Sequence, residues 1–231
     1  MLGERALAQL AEAMFASNEY GEIEAAGPQF HLLRSTSHVL GRTNERLDRQ
    51  TAAALQALCR GDRDRPGLWA RDYAGYLSLL STAESIRSVR FGMVYGFPQA
   101  PMTSSEAVII TPANAGLLLG GLEEWIQDVE KCAVMLAMVV DGRAVSICAS
   151  VRVSVAIHCA GVETLAPFRG QRLGARATAA WAASVQAIGA TPYYSTTFDN
   201  LPSQSLARYL GLALLASEFT VEGEATTEAG N

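Results

Sequence analysis

The chain has 231 residues, enough for one sizeable core, with 49% apolar and 18% charged residues. A net charge of −5 and a pI near 5.3 argue against a general nucleic-acid binder, which needs a basic face. No apolar run reaches the about 18 residues of a membrane span, and the N-terminus lacks a secretory pattern, so cytoplasmic residence is the expectation. The cysteines (Cys59, Cys132, Cys148, Cys159) form no Cys-x-x-Cys pair and the histidines (His31, His38, His158) show no metal spacing; buried free thiols and no metal are expected.

In chain order, Leu7, Leu10, Ala11 and Met14 predict an amphipathic helix within Leu2 to Ser17. Gln29 to Leu33 reads as a short strand, and Asp48 to Arg60 as a helix. Gly61 to Gly67 has the turn residues and alternating charge of a loop. Leu68 to Ser81 returns to helical spacing. Phe91 to Phe97 and Glu106 to Thr111 read as strands around a Pro-rich loop, Pro98 to Ser105. Pro112-Ala113-Asn114 predicts a helix reaching about Val129.

Strand periodicity follows. Ala133 to Val140 and Ala144 to Val153 flank Asp141-Gly142, a hairpin turn signal. His158 to Leu165 is the next strand and Gly174 to Ile188 an Ala-rich helix. Thr191 to Asn200 reads as a strand running into a turn. A helix then opens on Asn200 as N-cap, with Pro202 in its first turn and Gly211 closing it. The tail from Glu222 to Asn231 is small, polar and acidic, and is expected to fray. The order fits an α/β (α+β) fold, a mixed sheet with helices on both faces.

The chemistry concentrates at Val162-Glu163-Thr164-Leu165-Ala166-Pro167-Phe168-Arg169-Gly170-Gln171-Arg172-Leu173-Gly174-Ala175. A strand ends, a short Gly- and Arg-bearing loop follows, and a long helix begins. Free N–H groups and the positive end of the helix dipole attract anionic oxygens there. Gly170 and Gly174 permit close backbone approach, and Arg169 and Arg172 are suited to phosphate. Neither a Gly-x-x-x-x-Gly-Lys-Ser/Thr loop nor a Gly-x-Gly-x-x-Gly fingerprint is present.

This stretch resembles the acyl-CoA loop of the GNAT superfamily of N-acyltransferases, Arg/Gln-x-x-Gly-x-Gly/Ala. Arg169 fills the first place and Gly174 the last, while Arg172 stands at the middle glycine. The Asn200 helix ending in Leu210-Gly211-Leu212 is similar to a second GNAT segment, and the likeness covers Ala133 to Thr220. It implies a GNAT-like mixed twisted sheet that splays between two central strands, where acyl-CoA enters. It also implies an acetyl-CoA-dependent N-acetyltransferase moving an acetyl group directly to a small amine or exposed amino group. The alternative is an acyl-CoA-binding or interaction module without turnover. By the same resemblance, backbone at Val162 and Thr164 pairs with the pantetheine arm. Backbone from Arg169 through Gly170, Gln171, Arg172, Leu173 and Gly174 to Ala175 holds the diphosphate. Asn200 caps its helix and touches the arm or the substrate.

Catalytic groups are less determined. His158 and Glu163 on the strand before the loop are candidate proton acceptors. Tyr194, with Ser203 beside it in the count, is a candidate donor, because Ala207 occupies the place where many family members carry an acidic Tyr. Tyr209 is expected to pack. Residues 106–231 are expected to be the core with the acetyl-CoA site. Residues 1–105 are expected to supply the first elements of the fold on the amine side, or else a separate cap. No nucleic-acid or membrane partner is expected. Family members are often dimers, so a homodimer is one expected assembly.

Overall fold

The computed structural model describes residues 2–63, 67–98 and 106–224. They divide into two compact units. The described residues of Met1–Val94, Thr197–Asp199 and Leu215–Asn231 form one, and those of Tyr95–Thr196 and Asn200–Leu214 form the other. This division falls before the expected boundary at 105/106 and returns the C-terminal strand to the first unit.

The first unit holds helices α1 (Glu4–Met14), α2 (Arg49–Arg63) and α3 (Tyr73–Ala83). Its strands are β1 (Phe30–Ser35), β2 (Val39–Thr43), β3 (Ile86–Gly96) and β9 (Ala213–Gly223), in the order β2-β1-β9-β3. Phe30, Leu32, Leu55, Tyr76, Leu80, Phe219 and Val221 make its core, with Phe30 stacked on Tyr76 at 5.3 Å. The expected loop from Gly61 gives way to helix, since α2 runs on through Arg63. The reason is tertiary: Asp62 is buried, accepts the Tyr76 hydroxyl at 3.1 Å and faces buried Arg34 at 3.7 Å. The helix expected from Leu68 begins only at Tyr73, where the Asp72 carboxylate accepts the Gly75 N–H and sets the N-terminus. The strand expected from Phe91 starts earlier, at Ile86, and β9 carries Glu222 to ion pairs with Arg87 and Arg90 instead of a frayed end. Residues 99–105 of the Pro-rich loop and 225–231 of the tail lie outside the described residues.

The second unit carries a mixed sheet in the order β8-β7-β6-β5-β4. Its strands are β4 (Val108–Ile109), β5 (Met135–Val140), β6 (Arg143–Val153), β7 (Ile157–Thr164) and β8 (Thr191–Thr197). β4 to β7 pair antiparallel, and β7 pairs with β8 in parallel. Asp141 and Gly142, both at positive φ, turn β5 into β6 as the dipeptide predicts. Helix α4 (Leu173–Ala187) packs on β5, β6 and β7, burying Trp181 completely, and α5 (Leu201–Tyr209) follows β8. This is the expected α/β class, a mixed sheet with helices against it.

One expected helix is absent. In place of a helix to Val129 there are two 3-10 turns, Ala115–Leu118 and Glu123–Asp128. Gly120 and Gly121 sit between them at φ 99° and 133°, a region closed to helix. Their N–H groups donate to the Glu123 carboxylate at 2.6 and 2.9 Å, which stabilises the break. Likewise the strand expected over Glu106 to Thr111 shrinks to β4, because Asn114 accepts from the Thr111 N–H and bends the chain.

Candidate active site

β7 and β8 pair only where Ile157, His158 and Cys159 face Thr191, Pro192 and Tyr193. Beyond that point the two strands part. On its other edge β7 stays paired with β6 through Thr164. The Leu165 N–H donates to the Val145 carbonyl at 3.0 Å, which fixes the alternation: odd residues bond β6. The backbone N–H and C=O of Val162 and Thr164 therefore point away from β6, into the gap. A cleft of about 660 Å³ fills this gap, and all its walls belong to the second unit.

The loop after β7 forms one wall. Gly170 stands at φ 78° with open space around it, so its glycine serves the turn. Arg172, the N-cap of α4, stands at φ 61° in the left-handed region that the family's middle glycine would occupy freely. An arginine thus adopts the glycine conformation at some cost. Its guanidinium lies 4.7 Å from the Tyr209 ring centre, and Nη1 donates to the Tyr209 hydroxyl at 3.4 Å. Tyr209, expected to pack, is 54% exposed and lines the cleft.

The first bond within α4 runs from the Arg176 N–H to the Arg172 carbonyl, so the N–H groups of Leu173, Gly174 and Ala175 have no helical partner. No acidic residue sits in that first turn. With Arg169 and Arg172 beside it, this end of the cleft favours an anion. A Cβ on Gly174 would come within 3.0 Å of Thr164 Oγ1 and 3.5 Å of Leu206. Gly174 thus also serves the close seating of α4 on β7. Arg169 Nε donates to the Thr164 carbonyl at 3.1 Å and ties the loop to the strand end.

Of the residues expected at an acyl-CoA site, Val162, Thr164, Arg169, Gly170, Arg172, Leu173, Gly174, Ala175 and Asn200 line this cleft together. Gln171 does not: it is exposed, and its amide turns back to the Pro167 carbonyl at 3.4 Å. Asn200 caps α5 by accepting the Ser203 N–H at 3.1 Å.

The candidate catalytic residues separate. Glu163 and Tyr194 line the cleft. Tyr194 is buried and bonded to Ser203, and burial pushes its hydroxyl above the ordinary phenol value, so it keeps its proton. The structure does not bring His158 to the cleft. It sits at the closed end of the strand pair, 4% exposed, with Nδ1 2.9 Å from Ser150 Oγ, which also accepts the Trp181 indole N–H at 3.0 Å. Burial pulls its ring below the ordinary histidine value of 6.5. It is a satisfied core residue.

The sequence reading missed Trp125, whose indole Nε1 donates to Glu163 Oε2 at 2.6 Å. It also missed Phe168, Pro202, Ser205 and Leu206 in the walls. Ala207 is fully buried in α5 and is not among the residues that line the cleft. Among the described residues, no group of His, Cys, Asp and Glu could hold a metal ion, and no helix is long and apolar enough to cross a membrane.

Solved structures share this architecture. A GCN5-related N-acetyltransferase-like protein of Streptococcus suis is 20% identical, over 85% of this chain and 84% of its own, with a TM-score of 0.51. A GCN5-related N-acetyltransferase of Kribbella flavida is 15% identical, over 96% and 97%, with a TM-score of 0.50. The chain has the GNAT fold. A GNAT-family protein of Novosphingobium aromaticivorans matches at 17% identity and a TM-score of 0.51, over 59% of this chain and 65% of its own, so this chain spans about two thirds of that length. No family model and no curated protein matches the sequence.

Proposed function

We propose that the chain is an acetyl-CoA-dependent N-acetyltransferase that moves an acetyl group directly to a small amine or an exposed amino group. The observation that carries this is the edge of β7 that β8 leaves uncovered from Val162 to Thr164, running into the N-terminus of α4, whose first N–H groups have no helical partner. A thioester with an amide-bearing arm and a diphosphate fits that order of groups: strand N–H and C=O for the amides, then helix N–H and two arginines for the charge. The fit rests on this chain's own atoms, since the N–H groups of Leu173, Gly174 and Ala175, without a helical partner, line the same cleft as Arg169 and Arg172.

Acetyl-CoA supplies the activated acyl group; the chain supplies positions and protons. Glu163, held by the Trp125 indole, takes a proton from the acceptor's ammonium, and the amine lone pair so freed attacks the thioester carbonyl, whose C–S bond then breaks. Tyr194, kept protonated by burial, gives one to the departing thiolate, with Ser203 orienting its hydroxyl. Asn200 Oδ1 is committed to its cap, which leaves its amide N–H groups to face the ligand. The acidic pI of the chain suits a cationic acceptor. The cytoplasm is the expected place of action, and a homodimer the expected assembly.

One observation favours binding without turnover instead: the usual donor place is Ala207, buried and inert. Calorimetric titration with acetyl-CoA, against dephospho-CoA and ATP, followed by free-thiol release over a panel of amines, tests both readings. Micromolar binding with thiol release supports the transferase, and binding without release on any amine supports the module. No binding by folded protein sinks both.

A further inference from the structure

We infer that Trp125 is a positioning residue for this transfer: its indole N–H fixes the Glu163 carboxylate at the mouth of the strand gap, leaving the second oxygen to take the amine's proton. The inference rests on the proposed function.

Several independent features converge on this pair. The 3-10 turn Glu123–Asp128 follows directly on the Gly120-Gly121 break, and Gly121 leaves no Cβ to strike Leu165. That seats the turn on β7. Trp125 then lies over Gly161, where a Cβ would come within 3.2 Å of the indole and 2.3 Å of Val151. Gly161 is two residues before Glu163, on the same face of the strand. The glycine thus creates a shelf, the indole rests on it, and Nε1 reaches Glu163 Oε2 at 2.6 Å. The indole is donor only, so it cannot compete for the amine's proton. A half-buried, charge-assisted bond of this length limits the rotation of a long carboxylate side chain. Glu163 occupies the opposite face of β7 from Val162 and Thr164, so the amine meets it without displacing the arm held along the backbone edge.

The test compares Trp125→Phe, Glu163→Ala and the double variant. Trp125→Phe keeps a ring on the Gly161 shelf and removes the donor. The expected result is a kcat lower by roughly 10- to 100-fold, the scale of a hydrogen bond to a charged group, with the KM for acetyl-CoA unchanged. In the Glu163→Ala background the same change has no further effect, because the partner is gone. Equal losses in both backgrounds would mean a structural role and overturn the inference. If Trp125→Phe turns over like the wild type while Glu163→Ala is slow, the inference fails and the transferase reading stands. If Glu163→Ala is as fast as a transferring wild type, Glu163 is not the base and the inference fails while the transferase reading stands; if the wild type transfers to no amine, the reading itself fails and takes the inference with it. The contact is checked without turnover by the Trp125 indole N–H resonance in Glu163→Ala, which leaves the indole in place. An upfield shift and faster exchange support the pairing, and an unmoved signal overturns it.

Discussion

At its start β7 is closed on both edges, by β6 and by β8; at its end only β6 remains. His158 stands at the closed end and Glu163 at the open one, five residues apart on one strand. The histidine is drawn into a bonded chain in which Ser150 Oγ joins it to the Trp181 indole, and its surroundings disfavour charge. The carboxylate faces a cleft and receives a donor. Side-chain chemistry alone would favour the histidine for proton transfer at neutral pH. The backbone reverses this choice, because only the open end leaves room for a substrate and strand atoms free to hold it.

The largest effect that can break the comparison is loss of the open-end carboxylate. Glu163→Ala is expected to lower kcat by roughly 10²–10⁴-fold, the range of a general base, while acetyl-CoA affinity holds. His158→Leu should leave kcat within a few-fold of wild type. A slow His158→Leu enzyme with a normal Glu163→Ala would invert the roles of the two ends.

Next is the anchoring of the loop that bounds the open end. Arg169→Ala is expected to weaken acetyl-CoA binding by about 1–3 kcal/mol, through loss of a charge-assisted contact. It also frees the Thr164 carbonyl from Arg169 Nε, so some change in loop order is expected alongside. Calorimetry reads the first effect, and unchanged affinity would remove Arg169 from the phosphate site.

The closed end predicts a stability effect in place of a kinetic one. His158→Leu should cost about 1–2 kcal/mol in urea unfolding, because Ser150 loses a buried partner. The pH dependence has a fixed sign. Burial lowers the folded-state value of His158 below 6.5, so below that pH the unfolded chain takes up a proton that the folded chain resists. This contribution is fully present above about pH 6.5 and is lost as pH falls from there towards the depressed value. The wild type should therefore lose stability on acidification through this range more steeply than His158→Leu. Parallel slopes for the two proteins would show that His158 charges freely.

Features governed by neighbours in sequence were legible. The Asp141-Gly142 hairpin, the Asn200 cap and the strand, loop and helix around Arg169 each depend on a few adjacent residues. The failures have a common origin in distant contacts. Nothing near Gly61 indicates that Asp62 will be pulled into the core by Arg34 and Tyr76, which extends α2. Helical spacing after Asn114 conceals the carboxylate of Glu123 reaching back to two glycine N–H groups. Trp125 and Glu163 are 38 positions apart, and their meeting depends on that same break. A Gly-Gly pair inside a helical pattern was the available signal, since two adjacent helix-breaking residues cost about 2 kcal/mol relative to alanine. For His158, strand alternation gives the face correctly but not the distance along the strand at which β8 departs.

The smallest predicted effect tests whether the open end carries strain that the closed end does not. Arg172 holds a left-handed conformation at the mouth of the cleft, where glycine would pay no Cβ penalty. Comparison with wild type alone is ambiguous, because removing the side chain also removes its stacking on Tyr209. Arg172→Gly and Arg172→Ala lose that stacking equally and differ in the backbone. The glycine variant avoids the left-handed penalty of about 1–2 kcal/mol but has the more flexible unfolded chain, which offsets about 0.5–1 kcal/mol. The glycine variant should therefore be the more stable by about 0.5–1 kcal/mol in urea unfolding. If the alanine variant is equal or better, the loop relaxes out of the left-handed region without cost, and φ at residue 172 is not imposed by the fold. If glycine wins and both variants bind acetyl-CoA more weakly than wild type, arginine persists at a glycine's position for its charge.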